Sequence, residues 1–186
     1  MRLLSVFVAA LLLTGVAATA QQPARGAQPA RGGAAPAARL HGNLNQVMRG
    51  ILFPNSNIVF DTQDQDPAKP DKELPSAEVF GSTYGGWEAV ENASIALGES
   101  ANLMALPGRV CANGKPVPLS DPEFQTALQG LRDVAAVSLK AAQSKDKDAM
   151  VDVADKMSTA CAACHDIYRD KIVNGKPAGP AARCAK

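Results

Sequence analysis

The residues that could do chemistry are concentrated in one run near the end of the chain, Cys161-Ala162-Ala163-Cys164-His165. On a helix, positions i, i+3 and i+4 share a face, so both thiols and the imidazole would point the same way. The thiols could then add across the two vinyl groups of a haem while the imidazole ligates its iron, and C-x-x-C-H is the motif of such c-type attachment. The sequence therefore predicts one covalent haem c, with Cys161 and Cys164 as thioether anchors and His165 as an iron ligand.

Other uses of a C-x-x-C pair are disfavoured. A thioredoxin-like redox pair would need a surrounding βαβ pattern, and none is present. A zinc site needs four ligands, and the remaining candidates, His41, Cys111 and Cys184, lack paired spacing. A peroxidase would need a distal acid–base His or Arg beside a vacant iron. Only two histidines exist, and one is the proposed ligand, so we expect a protein that is not an enzyme.

Four helices are predicted to position this motif, over residues 41–53, 86–106, 120–144 and 146–172, because apolar residues recur there at three- and four-residue steps. Pro54 interrupts the first helix, although Ile58-Val59-Phe60 could continue it as a kinked piece. Residues 61–76 are predicted to form a long surface loop. No alternating strand pattern appears, so the predicted fold is all-α, an antiparallel four-helix bundle.

The last three helices have clear boundaries and buried stripes. Ser120-Asp121-Pro122-Glu123 is typical of a capping box with proline in the first helical turn, and Asn174-Gly175 should stop the fourth helix. The predicted stripes are Trp87, Val90, Ser94, Leu97, Ala101 and Met104; then Phe124, Ala127, Leu128, Leu131, Val134, Ala135 and Ser138; and then Met150, Val153, Met157, Cys161, Cys164 and Tyr168.

The start of the chain is typical of an export signal. Residues 1–20 combine Arg2, an apolar run and the small-x-small site Ala18-Thr19-Ala20, and the run is short for a membrane span. Residues 21–39 are almost wholly Ala, Gly, Pro, Arg and Gln, so a leader without a core is expected. Residues 40–186 then form one domain of ordinary size. We expect a periplasmic product with no membrane span after signal cleavage.

Composition excludes one function class and favours another. From residue 40 onward the chain has 15 basic and 18 acidic residues, a net charge of −3, and no basic stripe interleaved with aromatics, so no nucleic-acid role is expected. Aromatic residues make up only 4% of the chain. A domain so poor in aromatics would gain from a large apolar prosthetic group in its core.

A helical chain with C-x-x-C-H in its last helix resembles the class II cytochromes c, which include the cytochromes c prime. The run from Cys161 to Arg169 is similar to the family's C-x-x-C-H-x-x-[aromatic]-[Arg or Lys] pattern. The resemblance covers roughly residues 40–172, and its departures are the long acidic loop and the second cysteine pair. It implies that His165 is the proximal ligand and that Arg169 lies near the imidazole or a propionate. A solvated Arg at the helix end, favoured by the dipole, stays an alternative.

The resemblance also places the far side of the haem against the first helix, and this decides the function. Met48 there implies a six-coordinate His/Met haem that carries single electrons to an unknown redox partner. The alternative is a five-coordinate binder of nitric oxide or carbon monoxide, in which Met48 only fills a gap in the core. His41 is a second candidate ligand, about 10 Å from Met48 along the helix axis. Family members often dimerise through their first two helices, so a homodimer stays open.

Cys111 and Cys184 fall outside the haem motif. In an exported protein an even leftover pair predicts a disulfide, which would pin residues 175–186 against the loop between the second and third helices. Two unpaired thiols are the alternative.

Overall fold

A computed structural model describes residues 39–169 and 172–184, and most of them are helical. The predicted signal peptide, and the leader apart from Arg39, lie outside the described residues. This mainly helical composition agrees with the predicted all-α class. Within the described residues, no helix combines the length and hydropathy needed to cross a bilayer.

The first helical segment begins later and runs further than predicted. Helix α1 spans Leu44–Val47 and starts at a capping box, in which Asn43 and Gln46 each accept the other's backbone N–H, at 3.0 and 2.9 Å. A π-helical segment, Met48–Leu52, comes directly after it and leads into α2, Phe53–Asp61. Pro54 therefore does not end the helix. It lies in the first turn of α2, directly after the π-turn.

Helix α3, Ala77–Phe80, is one turn long, lies after the predicted surface loop and buries Phe80. Helix α4 spans Gly86–Met104, two residues shorter than predicted. Helix α5 spans Pro122–Ser144, and its N-cap is Asp121, whose side chain accepts from the Glu123 N–H. Every predicted stripe position of α4 and α5 is buried.

A tight turn joins α5 to α6. Lys145 adopts the left-handed conformation, with φ 56° and ψ 37°, and Asp146 caps α6 by accepting from the Ala149 N–H at 2.9 Å. Helix α6 spans Lys147–Tyr168. So short a connection makes the two helices antiparallel neighbours, and they pack along each other.

The prediction of helix to residue 172 and of no strand is wrong after Tyr168. Ile172–Val173 forms strand β1 and Lys176–Pro177 forms strand β2, and the two pair antiparallel. Asn174 and Gly175 between them have φ values of 54° and 72°. Both central residues of a type I′ hairpin turn need positive φ, and Asn-Gly is the favoured pair. The predicted helix stop is a hairpin turn.

The core lies between the long helices. Helix α4 packs along α5, and α2 contacts both α4 and α6. At the centre of the α4–α5 interface the hydroxyls of Ser94 and Ser138 share a buried hydrogen bond of 2.7 Å. The π-helical segment also lies against α4.

Candidate functional site

Helix α6 presents the C-x-x-C-H residues on one side of a cavity of about 370 Å³. Cys161, Cys164 and His165 all line it, and each is half-buried. The helix spacing accounts for this shared direction, because the second cysteine and the histidine come three and four residues after the first cysteine. Ligand pockets have volumes of roughly 300–1,000 Å³, so this cavity is within the range for a small molecule or cofactor.

The two thiols in the cavity are not joined by a disulfide. Burial raises the pKa of the Cys161 thiol, and the Arg169 guanidinium partly opposes that effect. Burial, with a smaller contribution from Cys161, raises the pKa of Cys164 to about 11. Both shifts favour the protonated thiols over the thiolates.

The predicted sixth ligand lies at the same cavity. Met48 opens the π-helical segment, is half-buried and lines the cavity together with Leu44 and Leu52. The Phe53 N–H donates to the Met48 carbonyl, which closes the π-turn on this residue. Isolated π-turns occur frequently at functional sites. The structure thus brings Met48 and His165 to one cavity from opposite ends of the domain.

The other candidate ligands are placed differently. His41 is exposed, precedes α1 and is not among the residues that line the cavity. Met104, predicted to lie on the buried stripe of α4, is buried and also lines the cavity from the end of that helix. Met150 and Met157 are buried in the core.

The loop between α4 and α5 holds the Met48 wall in place. Arg109 is buried and donates from Nε to the Leu103 carbonyl at 2.9 Å and from Nη1 to the Gly42 carbonyl at 2.6 Å. The Leu44 N–H donates to the Val110 carbonyl at 2.9 Å. The start of α1 is therefore fastened to the end of α4. The sequence did not predict these hydrogen bonds, because backbone carbonyls of Gly42, Leu103 and Val110 accept them and no sequence motif marks a carbonyl as an acceptor.

The same loop holds the end of the chain. Cys111 and Cys184 form a disulfide, with Cα atoms 6.4 Å apart, so the predicted pairing is confirmed. Both half-cystines line the cavity. The Asn113 side-chain amide lies within hydrogen-bond distance of the carbonyls of Pro180, Ala181 and Arg183, at 3.0–3.3 Å. The C-terminal segment, residues 178–184, is thereby bound to the cavity edge.

All three fixed charges at the cavity are positive. Arg49, Arg169 and Arg183 line it, and among the described lining residues there is no Asp or Glu. The Arg169 Nη1 lies 3.5 Å from His165 Nε2, and the Arg169 side chain is exposed. Arg49 and Arg183 were missed, although each is next in sequence to a residue already singled out, Met48 or Cys184.

The lining residues fit a haem. Leu97, Phe124, Leu128 and Leu131 supply a large apolar surface for a macrocycle, and the arginines offer partners for its two carboxylates. Within the described residues, no group of three or more His, Cys, Asp or Glu side chains is arranged to hold a metal ion. The cavity therefore suits a large apolar group that carries acidic substituents.

Comparisons with protein-family models, with curated proteins and with solved structures found no match to this chain.

Proposed function

We propose that this protein is an exported mono-haem c-type cytochrome of the class II type, which carries single electrons through a six-coordinate His/Met haem. The main support for this proposal is a single cavity. Cys161, Cys164 and His165 line it from α6, and Met48 lines it from the π-helical segment. In this proposal the N-terminal segment α1–α2 and helices α4, α5 and α6 correspond to the four helices of the bundle.

The residues of the chain would divide the work. Cys161 and Cys164 would hold the macrocycle through thioether bonds, and His165 and Met48 would ligate its iron. A haem so ligated supplies a one-electron couple whose potential is raised by the methionine ligand. The apolar lining would exclude water, and Arg49, Arg169 and Arg183 would offset the carboxylate charges.

The competing proposal is a five-coordinate binder of nitric oxide or carbon monoxide, in which Met48 only packs. The position of Met48 at the cavity, at the start of a π-turn, favours ligation over simple packing. The chain just before Met48 is also held in place, because Arg109 donates to the Gly42 carbonyl and the Leu44 N–H donates to the Val110 carbonyl. Such support is what a ligand needs if it is to stay on the iron.

Export to the periplasm is supported by the Cys111–Cys184 disulfide, because disulfides persist in oxidising compartments. Cell fractionation of the full chain, with immunodetection of the mature protein, would test this. Recovery in the cytoplasm would contradict it. Light scattering of the purified protein would decide between a monomer and a homodimer.

One experiment tests the central proposal. The full chain is expressed with its signal peptide in a host that has the c-type haem maturation system, and its absorption spectrum is recorded oxidised, reduced, and reduced under carbon monoxide. We expect a low-spin haem with the iron–sulfur charge-transfer band in the red region and little reaction with carbon monoxide. Rapid carbon monoxide binding would favour the gas binder, and a colourless matured protein would reject both.

A further inference from the structure

The C-terminal segment, residues 178–184, lies along the edge of the cavity and is held there at several points. Besides the disulfide and the amide of Asn113, the Cys184 N–H donates to the Tyr168 carbonyl at the end of α6, at 2.9 Å. Cys184 itself has φ 61°, a left-handed conformation that costs a residue with a side chain about 1–3 kcal/mol and persists only where its surroundings hold it. This segment is therefore fixed against the cavity.

Arg183 is next to the half-cystine in this segment and is half-buried. It lines the cavity, and its Nε is buried without a hydrogen-bond partner among the described residues. Arg109 is the instructive contrast, because its buried guanidinium donates to two carbonyls. A buried charged donor left unpaired is costly, so its presence at a cavity indicates an acceptor that belongs to the ligand.

We propose that Arg183 is the carboxylate-binding residue of this cavity and that the Cys111–Cys184 disulfide, with Asn113, positions it. The inference rests on the proposed function, because the ligand carboxylate is then a propionate of the haem. Arg49 and Arg169 are exposed and screened by water, whereas Arg183 is half-buried. Its interaction with a carboxylate is therefore the strongest of the three.

A positive charge held beside a propionate offsets a negative charge close to the iron. Without it, the uncompensated carboxylate would stabilise the oxidised, more positive iron. The midpoint potential should therefore fall when Arg183 loses its charge. The midpoint potential should also fall in a variant that keeps Arg183 but releases its segment, because the guanidinium is then no longer held beside the propionate.

The test is a set of haem-loaded variants measured by spectroelectrochemistry at pH 7. Arg183→Gln should lower the midpoint potential by about 59 mV, the equivalent of a tenfold change in the one-electron equilibrium. Arg183→Lys should restore more than half of that difference. Arg49→Gln, which removes an exposed charge from the same cavity, is the matched control and should shift the potential by less than half as much.

Cys111→Ser with Cys184→Ser is the second variant, and it should lower the potential in the same direction although Arg183 is present. If Arg183→Gln binds haem normally and keeps the wild-type potential, the inference is wrong while the proposed function stands. If Arg49→Gln shifts the potential as far as Arg183→Gln does, the special role of Arg183 is also wrong. If the matured wild-type chain carries no haem, the proposed function fails and this inference fails with it.

Discussion

The two walls of the cavity are built in opposite ways. On the α6 wall, two thiols and an imidazole come from five consecutive residues of one helix, and helix geometry alone aligns them. The rest of the lining, here called the Met48 wall, includes Met48 from a π-turn, Met104 from α4 and Arg183 from the C-terminal segment. These depend on Arg109, Asn113 and a disulfide for their positions. Covalent attachment of the haem should therefore persist when the tertiary structure is loosened. Ligation by Met48 and the charge supplied by Arg183 should be lost more easily.

The largest effect is expected on the α6 wall. Replacing Cys161 and Cys164 together by alanine should abolish covalent haem attachment, because no other thiol is available there. Mass spectrometry of the denatured protein, and haem staining after denaturing electrophoresis, would measure this. The matched control is the pair Cys111→Ser and Cys184→Ser, which should keep its covalent haem. Equal loss of haem in both pairs would mean that the α6 motif is not the attachment site.

The next largest effect is expected from a substitution in the Met48 wall. Met48→Ala should remove the sixth ligand, so the oxidised spectrum should lose its red charge-transfer band and the reduced protein should bind carbon monoxide rapidly. Met104→Leu is the control, since it changes a second methionine in the same cavity but conserves its volume. A spectrum changed by Met104→Leu and not by Met48→Ala would reverse the assignment of the two methionines.

Loss of the disulfide should lower stability without releasing the haem. Its half-cystines are 73 residues apart, and the chain-entropy model gives about 4 kcal/mol for closing a loop of that size. Urea unfolding of Cys111→Ser with Cys184→Ser, monitored by circular dichroism against the wild type, would measure the difference in unfolding free energy. A difference below about 1 kcal/mol would show that the disulfide contributes little beyond the contacts of Asn113.

A smaller loss is expected from Arg109→Met, which keeps an apolar stem but removes the guanidinium hydrogen bonds to the carbonyls of Gly42 and Leu103. Hydrogen bonds from charged groups contribute about 1.5–3 kcal/mol, so unfolding free energy should fall by about 2 kcal/mol. Carbon monoxide should also bind faster, because the Met48 wall is loosened. Arg132→Met removes longer bonds of 3.2–3.3 Å to Asn102 near the surface and should cost less than about 0.5 kcal/mol. Equal losses of unfolding free energy in the two variants would show that the hydrogen bonds of Arg109 stabilise the fold no more than those of Arg132.

Local sequence patterns determined the helices and the α6 motif. Periodic apolar residues predicted α4, α5 and α6 with their buried faces, because a helix repeats its faces at a spacing that can be read directly. The Asn174-Gly175 signal was misread as a helix stop, since a turn residue indicates that the chain changes direction but does not specify the next element. Pro54 was predicted to interrupt the first helix, with a kinked continuation through Ile58-Val59-Phe60 left open, and the structure has that continuation in α2.

Only the tertiary structure determined which residues form the Met48 wall. Met48 and Arg183 are 135 residues apart in the chain, and the sequence around each does not indicate that both line one cavity. Pairing of Cys111 with Cys184 was predictable by elimination, but its place at the cavity edge was not. Neighbours along a helix are fixed by a repeating backbone bond pattern, whereas neighbours across a core are fixed by packing and by single hydrogen bonds. Sequence spacing therefore determined the α6 wall, and only the folded chain could supply its counterpart.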